Sequence, residues 1–201
     1  GLDDVVEAPE LAPHRDAFKL MFAGNLGDAQ DFPALLDAAE ATRERADLHW
    51  LIVGDGRQAE WIREQIVARG LQRTVFMLGR HPLERMPEFF KGADALIVSL
   101  RAEPIFAMTI PGKVSAYLSA GRPILAMIDG EGAQVVREAG AGMVAPAGDG
   151  AELARLALQM AALPPEARAD MAAKARAYGQ QQFDRASLIS QLEAMLAEAQ
   201  R

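Results

Sequence analysis

The chain has no cysteine, which excludes disulfides, thiolate-ligated zinc, iron–sulfur clusters and a cysteine nucleophile, and which fits a reducing, cytoplasmic compartment. It has no histidine spacing suited to a metal: His14, His49 and His81 stand apart, with no H-x-x-x-H or H-x-D arrangement. Positive charge is in deficit, 21 Lys and Arg against 28 Asp and Glu for a formal net charge of −7. General attraction to nucleic acid or to an anionic membrane surface is therefore not expected, and any anion must be held locally. No apolar run approaches the ~18 residues of a membrane span, and no signal peptide heads the sequence. No serine or threonine has a base at a recognisable spacing, so hydrolase triads gain no support. Internal repeats and low-complexity segments are lacking too. The opening at Gly1, without methionine, reads as a soluble fragment of a longer protein.

What is present is a globular balance: 201 residues, 50% hydrophobic and 24% charged, enough for one large domain. Residues 1–17 hold two prolines and no sustained period, so they read as a linker or a lead-in strand, with the domain proper over 18–201. From Phe18 onward apolar runs alternate with helical periods. FKLMFAG, LHWLIVG, TVFMLG, ALIVSL, PILAMI and GMVAP are the strands. Helices are expected over 31–45, 57–69, 83–91, 111–120, 133–139 and 150–162. Two more, over 165–182 and 184–199, close the chain, the last with Asp184 as N-cap and Leu188, Leu192, Met195 and Leu196 on one stripe. Strands that are continuously apolar are buried on both faces. The fold class is therefore α/β, a Rossmann-like doubly wound parallel sheet of six strands with helices on both faces.

In such sheets ligands sit outside the carboxyl ends of the strands, where the strand order reverses. The loops there are rich in glycine, which lets backbone approach a phosphate closely, although βα turns also use glycine simply to turn. Gly54-Asp55-Gly56-Arg57-Gln58-Ala59 fits the dinucleotide fingerprint G-x-G-x-x-A. No acidic residue ends the next strand to hold a ribose; Gly79-Arg80 stands there, which suits a 2′-phosphate. The stretch over residues 93–126 is more informative. Its helix opens on Pro111-Gly112-Lys113, where proline suits the first turn and Gly112 leaves the terminus uncovered. Lys113 opposes the helix dipole there, a misfit that an anion would relieve. His81 follows a strand end and a glycine and could line a cleft or merely cap a turn.

IPGKVSAYLSAGRPILA resembles the I-P-S-K-x-x-E-Y-x-A-A-G-K-P-I signature found in one branch of the retaining glycosyltransferases of family 4, also called group 1. FAGNLGDAQDFPALLDAA, LHWLIVGDG, VFMLGRHPLERMPEFFKGADALIVSL, AGMVAPAGDGAELA and YGQQQFD are similar to further features of that family, in the same order. The likeness runs from Phe18 to Ala199. It implies the carboxyl-terminal, donor-binding half of a GT-B enzyme that transfers a sugar from a nucleoside diphosphate, UDP above all, to a polysaccharide or lipid-linked acceptor.

By position, the resemblance implies that Gly24, Asn25, Gly27 and Gly54 lie by the donor pyrophosphate, with Gly112 and Lys113 facing the phosphates. Arg80 and His81 border the nucleobase, and Glu103 stands where an acidic residue reaches the sugar. Lys113 and Glu103 are the catalytic candidates. The nucleotide sugar is substrate, so neither a resident cofactor nor a metal is implied. The amino-terminal acceptor half is expected as partner, and with it a cytoplasmic enzyme that works at the inner face of the membrane. Two departures stand out. Ala116 occupies the place of the family's ribose-binding glutamate, and the first loop has Asn25 where a basic residue is common. Three other readings stay open: a degenerate nucleotide-binding or interaction domain, an NADP-dependent oxidoreductase domain, and a sugar-nucleotide epimerase.

Overall fold

The structure is a computed structural model that describes residues 2–199, with side chains through residue 182 and those of Asp184 and Ile189. Six strands form one parallel sheet: β1 (Phe18–Ala23), β2 (Leu48–Val53), β3 (Val75–Gly79), β4 (Ala95–Ser99), β5 (Ile124–Met127) and β6 (Gly142–Ala145). Their spatial order is β3-β2-β1-β4-β5-β6. The order reverses between β1 and β4, so the loops after these two strands flank the crevice expected to take a ligand.

The strand composition accounts for the layering. In β1, Leu20 and Phe22 enter one core while Met21 and Ala23 enter the other, because successive side chains point to opposite faces. The Leu20 face is covered by α1 (Phe32–Ala41), α2 (Ala59–Ala68) and α7 (Gly150–Ala162). The Met21 face is covered by α3 (Met86–Gly92), α5 (Gly112–Ala120), α6 (Gly130–Glu138) and the first part of α8 (Pro165–Ala199). Asp31 caps α1 by accepting from the Ala34 amide, and Asp149 caps α7 by accepting from the Glu152 amide. The expected six-stranded, two-faced α/β architecture is the one observed.

Three stretches differ from the sequence expectation. The opening segment is folded onto the domain instead of trailing from it: a 3-10 helix at Pro9–His14 buries Leu11, and Ala8 and Leu11 join the core on the Met21 face. Arg85 holds it with a two-pronged grip on Glu10, at 2.7 and 2.9 Å. The closing helices are one continuous α8, so Asp184 is an interior residue that accepts from the Gln180 side chain at 3.0 Å and not an N-cap. The intervening YGQQQFD has a glycine but no proline. Gly179 serves close packing, since a Cβ there would stand 3.1 Å from the Leu118 and Ser119 backbone of α5. The stripe proposed for Leu188, Leu192, Met195 and Leu196 lies outside the described side chains. Finally, the long loop after β4 contains a four-residue helix, α4 (Pro104–Ala107), with Glu103 at its N-cap.

Candidate functional site

The carboxyl ends of β1, β2 and β3 are laced together by glycine. The Gly24 amide donates to Val53 O at 2.9 Å and the Gly54 amide to Gly79 O at 2.8 Å. Gly24 and Gly54 both have φ +143°, and a Cβ on Gly54 would fall 1.8 Å from Gly24 O. Only glycine permits that backbone and that approach. The two loops then interlock: the Leu26 amide donates to Asp55 O, the Gln58 amide donates to Leu26 O, and the Gln58 side chain donates to Asp28. The Asn25 side chain lies between Gly27 and Gly56, 2.7 Å from where a Cβ on either would stand. The Gly27 amide is occupied by Gln30 Oε1 at 3.0 Å. Of Gly24, Asn25 and Gly27, therefore, only Asn25 has a backbone amide without a partner among the described residues.

Across the switch point, Ser99 Oγ donates to Gln30 O at 2.6 Å and the Arg101 amide to Ala29 O at 2.9 Å, which ties the β4 loop to the β1 loop. The β4 loop leads over α4 to α5, whose first amides, on Gly112 and Lys113, have no partner among the described residues. Gly112 faces open space. Lys113 is held differently from the solvated lysine that the sequence alone allows. Its Nζ sits 3.8 Å from the centre of the Phe22 ring, and its Cε would be 2.7 Å from a Cβ on Gly24. Because α5 packs on the Met21 face and Phe22 belongs to the opposite one, the side chain passes over the end of β1 through the space left by Gly24. No carboxylate accompanies the ammonium among the described residues, and burial pushes its pKa down to about 8. One turn on, the buried Tyr117 hydroxyl donates to Ala23 O at 3.3 Å and fixes the end of β1.

The remaining candidates are dispersed around this centre. Glu103 is solvent-exposed and 3.8 Å from Arg101 Nε, with no bond to Lys113. Arg80 is exposed after β3. His81 is turned inward: Nε2 donates to Leu78 O at 2.8 Å, Nδ1 accepts from Arg85 at 3.1 Å, and the ring lies 4.6 Å from that of Phe89. This pattern matches a hydrogen on Nε2 and leaves the side chain 16% exposed. Ala116 is exposed on α5, three residues after Lys113 and so on the same side of the helix. The β4 loop also exposes Ile105, Met108 and Ile110 at the rim. Sequence reasoning missed Phe22 and Tyr117, which read as ordinary core residues; the only signal was their place beside Gly24 and Lys113.

Two hollows lie elsewhere. One of about 260 Å³ is lined by Arg43, Glu44, Arg73 and Thr74 near the amino ends of β2 and β3. A groove of about 700 Å³ runs between α8 and Arg122, with Asp3, Lys91 and Arg176 on its walls. Neither reaches the glycine loops. Among the described residues there is no group of three or more His, Asp or Glu able to hold a metal, and no helix long and apolar enough to cross a membrane.

Solved structures share this architecture. HepE of Anabaena, crystallised in complex with UDP, superposes with a TM-score of 0.78 over 92% of this chain at 20% identity. The carboxyl-terminal domain of the group 1 glycosyl transferase LpcC from Francisella tularensis gives 0.69 over 89% at 12% identity, covering 95% of that chain. WaaG, a glycosyltransferase involved in lipopolysaccharide biosynthesis, gives 0.67 over 87% at 17% identity and is covered over 48% of its length. The present chain spans half the length of the HepE structure. No curated protein matches it in sequence. The model of the family described as glycosyl transferases group 1 matches residues 17–162, and the chain accordingly belongs to the group 1 glycosyl transferases.

Proposed function

We propose that residues 18–201 are the nucleotide-sugar-binding half of a retaining glycosyltransferase that uses a UDP-sugar donor and a polysaccharide or lipid-linked acceptor. One observation carries the reading: a half-buried lysine ammonium with no ion pair among the described residues lies at the free amino end of α5, against Gly24. A cation without a counter-ion beside open helix amides is poised for an anion. The diphosphate would sit over Gly24, Asn25, Gly54 and Gly112, with Lys113 and the helix terminus stabilising the charge that builds on it as the glycosyl bond breaks. Arg80 and the exposed edge of His81 would border the base, and Glu103 would turn from Arg101 to the sugar. HepE structures containing UDP or UDP-glucose support this donor class.

Acceptor binding belongs to a second half set against the carboxyl ends of the strands, where Ile105, Met108 and Ile110 form an apolar rim. The chain alone would then bind donor with little or no transfer, and the whole enzyme would act in the cytoplasm at the inner membrane face. Calorimetric titration with UDP, GDP, ADP and NADPH tests the reading. Saturable UDP binding, weakened about tenfold or more in Lys113→Ala, is the expected result, since one charge-assisted contact contributes about 1.5–3 kcal/mol. NADPH binding more tightly than UDP would transfer the assignment to an oxidoreductase. Ala116 favours a second reading, an abandoned site: Ala116→Glu should strengthen UDP binding in a working site and change nothing in a degenerate one.

A further inference from the structure

Lys113 has an unusual neighbour. Phe22 is fully buried, yet its ring does more than fill the core beside Phe32, whose ring centre is 4.9 Å away in an edge contact. The Lys113 ammonium, reaching over the end of β1, stands over the Phe22 ring, 3.8 Å from its centre. An aromatic face attracts a cation, most strongly where water is excluded.

We propose that Phe22 is a positioning residue for the donor site, its ring holding the Lys113 ammonium over the end of β1 so that a nucleoside diphosphate meets a cation already in place. The proposal rests on the donor-site reading above for its ligand, but not for its geometry. Without the ring a long, flexible side chain in a half-buried site would have no partner among the described residues, and it would either lose its proton or swing out to water. Burial already brings Lys113 to about 8. The ring opposes that depression, because it stabilises only the charged form.

Among the described residues no carboxylate on the neighbouring elements pairs with that charge. On α5, Tyr117 is a buried phenol bonded to Ala23 O. In the loops, Asp28 is engaged by Gln58, Asp55 accepts from the Gly56 amide, Glu103 faces Arg101, and Asp129 accepts from the Ala147 amide. None forms an ion pair with Lys113 among the described residues.

The test replaces Phe22 by 4-fluoro- and 3,4,5-trifluorophenylalanine, which leave the shape of the ring nearly unchanged while draining its negative face. The Lys113 side chain is followed by NMR of 13Cε-labelled lysine in the free protein. Lys113→Arg assigns the signal, and Lys19, Lys91 and Lys174 serve as references. The expected result is a stepwise fall in the Lys113 midpoint, reaching about half a pH unit or more. Phe22→Leu should lower it further, even where it also lowers the melting temperature. A midpoint unmoved by fluorination would overturn the proposal, since a residue that only fills the core would leave it unchanged.

A UDP titration from pH 7 to 9.5 on the same proteins separates the two readings. Affinity should decline above the Lys113 midpoint, approaching about tenfold per pH unit, and the decline should begin at lower pH in the fluorinated proteins. If UDP does not bind, the donor reading fails while the NMR midpoint still decides the role of Phe22.

Discussion

At the scale of single residues, Lys113 joins stability to the proposed donor binding. Its pKa in the folded chain, about 8, lies below the ordinary 10.5, so the unfolded chain binds the proton more tightly. Burying the charged amine therefore costs stability below about pH 8, and the cost fades as pH rises from 8 to 10.5. The shift corresponds to an upper bound of about 3 kcal/mol. Lys113→Met keeps the length and removes the charge; it should raise the melting temperature at pH 7, with most of the gain gone by pH 10, while weakening UDP binding about tenfold or more. Thermal melts of both proteins at the two pH values check the sign, and an equal or lower melting temperature at pH 7 would contradict it. Such a residue was half legible. A lysine in a first helical turn conflicts with the dipole, and that local conflict marked it. Its passage over Gly24 and its seat on Phe22 are contacts between residues 89 and 91 positions apart, which no local pattern carries.

At the scale of elements, period and punctuation were informative. All six strands are observed where apolar runs predicted them, because strands buried on both faces confine polar residues such as Lys19, His49 and Ser99 to positions near their ends. Most helices agree at their cores and differ at their ends, where caps rather than periodicity decide. The opening segment escaped because one apolar residue in a short 3-10 turn has no period to detect. Its attachment comes from Arg85, which bridges Glu10 and Glu88 at 2.7 and 2.9 Å. The guanidinium pulls the Glu10 carboxyl down to about 2 from 4.5. This contribution is complete above about pH 4.5 and is lost as pH falls toward 2. Glu10→Gln should therefore speed hydrogen exchange in residues 8–14 at pH 7 and lose that difference near pH 2. It should also loosen His81, whose Nδ1 shares the same guanidinium. Unchanged exchange at pH 7 would show that Leu11 alone anchors the segment.

At the scale of the whole molecule, the parallel sheet separates two titrating centres. At its amino end His14 Nδ1 and His49 Nδ1 are 2.9 Å apart beside the Phe76 ring, with Lys19 close by. Burial lowers both pKa values, and for each Lys19 lowers it further. The pair is therefore stable when at least one ring is neutral, and stability falls as pH drops below 6.5, where the unfolded chain takes up protons first. At the carboxyl end the proposed donor site uses a charged Lys113, so UDP binding is expected to fade as the lysine loses its proton, above about pH 8. Melting temperature should thus decline below pH 6.5, with the decline reduced in His49→Gln, while UDP affinity should decline only on the alkaline side. An acid decline unaffected by that substitution would place its origin elsewhere. What the sequence determined by itself was the architecture, and with it where a candidate site is to be sought: alternation of strand and helix is written locally, and parallel sheets put ligands at their carboxyl ends. What only the tertiary structure decided was which amides are free, which cation lacks a partner, which histidine is turned inward and what the opening segment covers. Each of these depends on groups brought together by the order β3-β2-β1-β4-β5-β6, and burial and pairing energies exist only once that order is formed.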